Sequence, residues 1–151
     1  MLKATDELLK DHRMIRKTLE GFRLDNPRFP AISKTLQRLL IGHAWFEDAI
    51  FIPPLKAEPL VARRFLEEIS QEHNDLDVMM ALLRKTPLEN KKELEAYMLQ
   101  IRTSLTTHFS KEEDALFPLA EKILREEGLD RLAQEMRTRQ SEVQSVLSKS
   151  I

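Results

Sequence analysis

Apolar residues recur at helical spacing along most of this chain. One stripe runs Leu8, His12, Ile15, Leu19, Phe22, and a second runs Ile32, Leu36, Leu39, His43, then Phe46 or Glu47, then Ile50. A third runs Phe65, Ile69, His73, Leu76, Met80, Leu83. A fourth runs Leu94, Met98, Ile101, Leu105, His108, Glu112, Ala115, Leu119. Steps of three and four place each stripe on one helix face, as in a bundle helix turned toward its core. No stretch alternates with the period of two that a half-buried strand needs.

Glycine and proline set the boundaries. Glycine is scarce, at three residues, and the seven prolines cluster between the stripes. This favours long helices joined by short proline-marked turns. Helices are expected over 5–21, with Thr5 or Asp6 as cap, over 31–51, stopped by Pro53 and Pro54, and over 59–85, begun by Pro59. A fourth is expected over 88–117, ended or kinked by Pro118. LDNPRFP and TPLEN read as connections. A short piece over 119–128 follows, then a last amphipathic helix over 129–147. The apolar face of that helix is thin: Leu129, Leu132, Met136, Val143 and Leu147. Packing on the bundle is its default reading, with partner binding as the alternative. The fold class is all-α, and the length of 151 residues suits one domain over 1–151.

Charge and composition narrow the chemistry. The net charge of −1 and the scattered basic residues give no electrostatic case for nucleic acid or an anionic membrane. No apolar run reaches 18 residues, and the polar N-terminus MLKATDELLKDH is unlike a signal sequence. The expected compartment is the cytoplasm. With no cysteine there are no thiolate metal sites, iron–sulfur clusters or thiol nucleophiles. Any metal chemistry rests on His, Asp and Glu.

Each of the four stripes carries one of the chain's four histidines, and none is left over. A single histidine on an apolar face is more often a hydrogen-bonded core residue than a ligand. Four of four on core faces is a different case. The stretch LIGHAWFEDAIFIPP, residues 40–54, also buries Glu47 one turn from His43. A buried carboxylate is costly unless it is paired or bound to metal.

The chain repeats itself. His43-x3-Glu47-x5-Pro53 matches His108-x3-Glu112-x5-Pro118, and EDAIFIP matches EEDALFP. Asp11-His12-x-x-Ile15 likewise matches Glu72-His73-x-x-Leu76. The pattern reads as one helical hairpin present twice. Residues at i and i+4 share a helix face with roots about 5–6 Å apart. Two antiparallel hairpins face to face would therefore gather His12, His43, Glu47, His73, His108 and Glu112 in an apolar core. Four imidazoles and two carboxylates suit two metal ions, with two histidines each and either Glu bridging. Without thiolate, iron, manganese and zinc all fit. Such a count leaves coordination positions open for a small exogenous ligand, unlike a structural zinc site. The ferritin-like alternative needs an acid three residues before each ligand histidine, whereas Leu9, Leu40, Ser70 and Leu105 stand there.

With Asp11-His12-Arg13-Met14-Ile15, His43-x3-Glu47, Glu72-His73-x-x-Leu76 and HFSKEEDALFP, the chain resembles the hemerythrin-like, or HHE cation-binding, family over about residues 4–120. The resemblance implies an up-down-up-down four-helix bundle, here with an additional C-terminal helix. It implies two iron ions with an oxo or hydroxo bridge, His12, His43, His73 and His108 as terminal ligands, and Glu47 and Glu112 as bridges. Oxygen-carrying members have His-x3-His on the third helix, and this sequence has Asp77 in the second place. Asp77 is either a further terminal ligand or a solvated residue beside the stripe. The four-histidine set resembles the branch tied to nitric-oxide handling, iron–sulfur repair, and iron or oxygen sensing. Some members use His-x4-carboxylate, which makes Glu113 the competing bridge. It lies about 100° around the helix from Glu112, and periodicity favours Glu112. Asp11 and Glu72 are expected to point away from the ligands, and Asp48 and Asp114 to be exposed. Backbone neighbours or acids nearby would hold the distal imidazole nitrogens, and the spacing does not choose among them. Trp45, Phe46, Phe109, Phe117, Met79 and Met80 either wall a ligand pocket or pack the core. The expected function is di-iron binding of O2 or NO for sensing, scavenging or carriage. The alternatives are a di-iron enzyme acting on peroxide or NO, iron donation for iron–sulfur repair, and a structural metal site.

Overall fold

A computed structural model describes residues 2–150. The chain forms α1 (Ala4–Glu20), α2 (Phe29–Phe46), α3 (Ile52–Lys56), α4 (Arg63–Lys85), α5 (Lys91–Lys111), α6 (Phe117–Thr138) and α7 (Gln140–Ser150). No strand occurs among the described residues. Among them, no helix is long and apolar enough to cross a membrane.

Two single π turns join helices end to end. Glu47–Phe51 links α2 to α3, and Glu112–Leu116 links α5 to α6. The Ile52 N–H donates to the Glu47 carbonyl and the Phe117 N–H to the Glu112 carbonyl, each five residues back. Pro53, Pro54 and Pro118 then sit in the first turn of the next helix, where a missing N–H costs little. The expected stop at Pro53 and Pro54 is therefore a change of pitch, after which the helix runs on to Lys56. Other boundaries shift for similar local reasons. Thr5 does not cap α1: the helix begins at Ala4, and the Thr5 hydroxyl donates to Glu121 at 2.9 Å. Pro59 lies in the turn before α4, whose N-cap is Ala62.

The expected last helix over 129–147 is interrupted. Arg139, with φ −99° and ψ 15°, separates α6 from α7. Helix α6 itself breaks at Arg125, where φ is 59° and ψ −178°.

Two apolar clusters show the bundle's direction. The first contains Leu8, Ile50, Leu66, Ile69 and Leu116; the second contains Ile15, Leu36, Leu76 and Leu105. Helix α1 passes from the first cluster through His12 to the second. Helix α2 returns through His43, and its continuation reaches Ile50. Helix α4 runs as α1 does, through His73, and α5 returns through His108. The fold is thus an up-down-up-down bundle with a polar layer between two apolar ones. Leu129, Leu132 and Met136 of α6 join the first cluster, and Val143 and Leu147 of α7 are buried. Helix α7 lies along α2: a Cβ placed on Gly42 would rest 3.7 Å from Val143 Cγ1.

Candidate metal centre

The polar layer brings together all six residues that the stripes and the repeat singled out. His12, His43, Glu47, His73, His108 and Glu112 are all buried, and none exposes more than 8% of its surface. Helix α1 supplies His12 and α4 supplies His73. His43 closes α2 one turn before Glu47, and His108 closes α5 one turn before Glu112. Both glutamates are the first residues of the π turns. Such turns are frequent at functional sites.

The six form two overlapping groups. His12, His43, Glu47 and Glu112 offer ligand atoms within 4.8 Å of one another, and so do His73, His108, Glu47 and Glu112. Each group holds two imidazoles, and both carboxylates belong to both groups. His12 Nε2 lies 2.9 Å from Glu112 Oε1 and 3.2 Å from His43 Nε2. His108 Nε2 lies 3.3 Å from Glu112 Oε2, and His73 Nε2 3.6 Å from Glu47 Oε1.

The outer nitrogens fix which lone pairs face inward. His12 Nδ1 donates to Glu113 at 2.6 Å, His43 Nδ1 to Asp11 at 3.0 Å, His73 Nδ1 to Asp48 at 3.0 Å, and His108 Nδ1 to Glu72 at 2.7 Å. A neutral imidazole bonded this way keeps its Nε2 lone pair free, the tautomer a metal ligand needs. Glu113 also pairs with Arg16, Glu72 with Lys111, and Asp48 accepts from Ser70.

These four acids are the functional residues that the sequence leaves open. Each adjoins a member of the cluster in sequence yet serves a histidine on another helix. They follow the repeat: Asp11 matches Glu72, and Asp48 matches Glu113. Glu113 faces outward to His12 Nδ1 and belongs to neither group, whereas Glu112 belongs to both. Asp48 is exposed as expected, but its carboxylate is engaged with His73. Asp77 is exposed and belongs to neither group.

The inner atoms satisfy one another poorly. Both oxygens of Glu47, Oε2 of Glu112 and the Nε2 atoms of His73 and His108 are buried without a hydrogen-bond partner. His43 Nε2 touches Glu47 Oε1, but not along the direction of a hydrogen bond. Orphaned buried polar atoms are rare and costly. Here they converge from four helices with the donor chemistry of a cation site, so the residues present fit metal ions.

The electrostatics agree. Burial opposes a charge on His43, but Glu47, Asp11 and Glu112 outweigh it and raise its pKa well above the usual imidazole value. Burial opposes charge at His73 too, and Asp48, Glu112 and Glu47 raise it well above that value. His108 is raised as well, by Glu112 against burial. Burial would lift Glu112, but Glu47 and three histidines hold its carboxyl well below the usual range. In the metal-free chain, protons thus take part of the positive charge that cations would supply.

The site is covered unevenly. Phe109 stacks on the His12 ring at 3.8 Å between centroids, and Phe117 lies 5.5 Å from it. A cavity of about 300 Å³ reaches His43, His73 and His108. Of the expected wall residues, Trp45, Met80 and Phe109 line this cavity, and Phe46, Phe117 and Met79 do not.

A family model for the hemerythrin HHE cation-binding domain matches residues 3–120, with a second, overlapping match at 64–149. The second match begins where the second hairpin begins, in keeping with the internal repeat. No curated protein and no solved structure matches the chain.

Proposed function

The chain belongs to the hemerythrin HHE cation-binding family, and on that premise we propose that it binds two iron ions and takes a small diatomic ligand, O2 or NO, for sensing, scavenging or carriage. The observation that carries the reading is the pair of overlapping groups, each with two histidines and both with the same two glutamates. His12 and His43 would hold one ion, His73 and His108 the other, and Glu47 and Glu112 would serve both. Bound iron supplies a redox-active centre with positions open to such a ligand. The protein's part is to orient and to enclose. Asp11, Asp48, Glu72 and Glu113 hold the four rings with Nε2 inward. The two apolar clusters enclose the layer from either end, and the cavity gives it an entry beside His43, His73 and His108.

A second reading, turnover of peroxide or NO at the same centre, is favoured by the cavity that leaves His73 and His108 approachable. One experiment addresses both. The metal-free protein is loaded with Fe(II) without air, and its visible spectrum is followed as NO is added. The proposed function predicts a saturable new spectrum at stoichiometric NO, reversed when NO is removed. Steady consumption of NO above the rate of free iron would favour the enzyme. No spectral response would contradict both.

A further inference from the structure

The internal repeat holds within the polar layer and breaks beside it. The outer bonds are twinned: His12 bonds Glu113 as His73 bonds Asp48, and His43 bonds Asp11 as His108 bonds Glu72. Arg16 and Asp77 hold equivalent places, four residues after His12 and His73. Phe109 and Ala44 do too, one residue after His108 and His43. Neither of these pairs is alike. Around His12, the Phe109 ring stacks on the imidazole at 3.8 Å between centroids. The Arg16 guanidinium lies over Phe109, 5.1 Å from its centroid, and pairs with Glu113 at 2.8 Å. Around His73, a methyl group replaces the phenyl ring, and an acid that cannot pair with Asp48 replaces the guanidinium. The cavity of about 300 Å³ occupies the space so left: Ala44, Asp48, His73 and Asp77 all line it, whereas of their twins only Phe109 does. Both imidazoles of the His73 and His108 group open on it, and of the other group only His43.

We propose that Ala44 determines access to the centre: a small neutral ligand enters by the gap that its short side chain leaves and reaches the ion of His73 and His108, while Phe109 and Arg16 close off the ion at His12. Two metal positions with nearly the same ligands would then differ in reach, and the difference would lie in one position of the repeat. The choice of ligand rests on the iron reading; the route rests on the cavity and the broken repeat.

The test pairs a metal-free measurement with a metal-loaded one, in the parent and in A44F, which restores to the gap the side chain its twin carries. Xenon enters apolar cavities without needing a metal. Under xenon pressure the ring-proton resonances of His43, His73 and His108 in metal-free parent should shift, and those of His12 should stay in place. In A44F all four should stay in place. In protein loaded with Fe(II) without air, the parent should take up one NO per chain. A44F should keep the parent's iron and helix content and bind NO about tenfold more slowly, the cost of moving one packed side chain off its rotamer. If A44F loses helix content, A44L, a smaller fill, takes its place and should slow NO less. Xenon shifts at His12 as large as at His73, two NO per chain taken up at one rate, or an NO rate unchanged by a folded variant would each overturn the proposal. Failure of iron to bind would sink the iron reading and leave the xenon shifts to decide the route.

Discussion

An imidazole that gives its Nδ1–H to a carboxylate has one lone pair left to offer, and in this chain four such lone pairs meet. His12 and His43 bring their Nε2 atoms to 3.2 Å, a separation that two lone pairs tolerate only with a proton or a cation close by. The six inner residues and the four outer acids should therefore fail differently on substitution. Glu112→Gln keeps the shape but removes the charge that every histidine approaches. It should lose most bound metal and destabilise the metal-free fold by about 3 kcal/mol, as breaking a buried pair does. Metal analysis and urea unfolding check both effects. Asp11→Asn or Asp48→Asn should leave the fold intact and weaken metal affinity about 10- to 100-fold, the usual cost of losing an outer carboxylate. Competition with a chelator reads that shift. Affinity unchanged in both variants would mean that the outer acids do not orient the rings.

At the scale of elements, the stripes were legible because burial imposes its period wherever a helix meets a core. His12, His43, His73 and His108 fell on them for that reason, and the repeat tied Glu47 to Glu112. The outer acids were not legible as partners, since Asp11 bonds His43 and Glu113 bonds His12 across helices, and spacing within a helix carries no such information. The π turns were hidden too. Pro53 and Pro118 signal a break, and only the tertiary position of the glutamates shows that a wider turn lets the chain continue. The kink at Arg125 had no signal, because its conformation is one that glycine adopts and the nearby glycine is at 128. That backbone region costs a residue with a side chain about 1–3 kcal/mol. Arg125→Gly should accordingly stabilise the protein by about 1 kcal/mol, seen as a higher urea midpoint. A lower midpoint would mean that Arg125 makes compensating contacts.

In the whole molecule, a buried polar layer divides the hydrophobic core in two, and its charge state sets the response to pH. The pKa values of His43, His73 and His108 are raised on folding, so their contribution is full below the ordinary imidazole value, about 6.5, and is lost as pH rises through the folded values. The pKa values of Glu112, Glu72 and Glu113 are lowered, so their contribution is present above the ordinary carboxylate value, about 4.3, and is lost as pH falls through the folded values. Metal-free protein should be most stable between about pH 4.3 and 6.5 and should melt lower at pH 8.5 than at pH 6. Metal needs the histidines neutral, so loading should release protons and its affinity should rise from pH 6 to pH 8.5. Thermal melts of both forms at the two pH values check this. A metal-free melting temperature that rises toward pH 8.5 would contradict the charge assignment.

If two cations occupy the layer, metal analysis of freshly purified protein should find two irons per chain, removed by chelation with a loss of stability, and fewer in Glu112→Gln. No metal, or a trace that chelation removes without changing the melting temperature, would mean that the four histidines and two glutamates are a self-sufficient polar core.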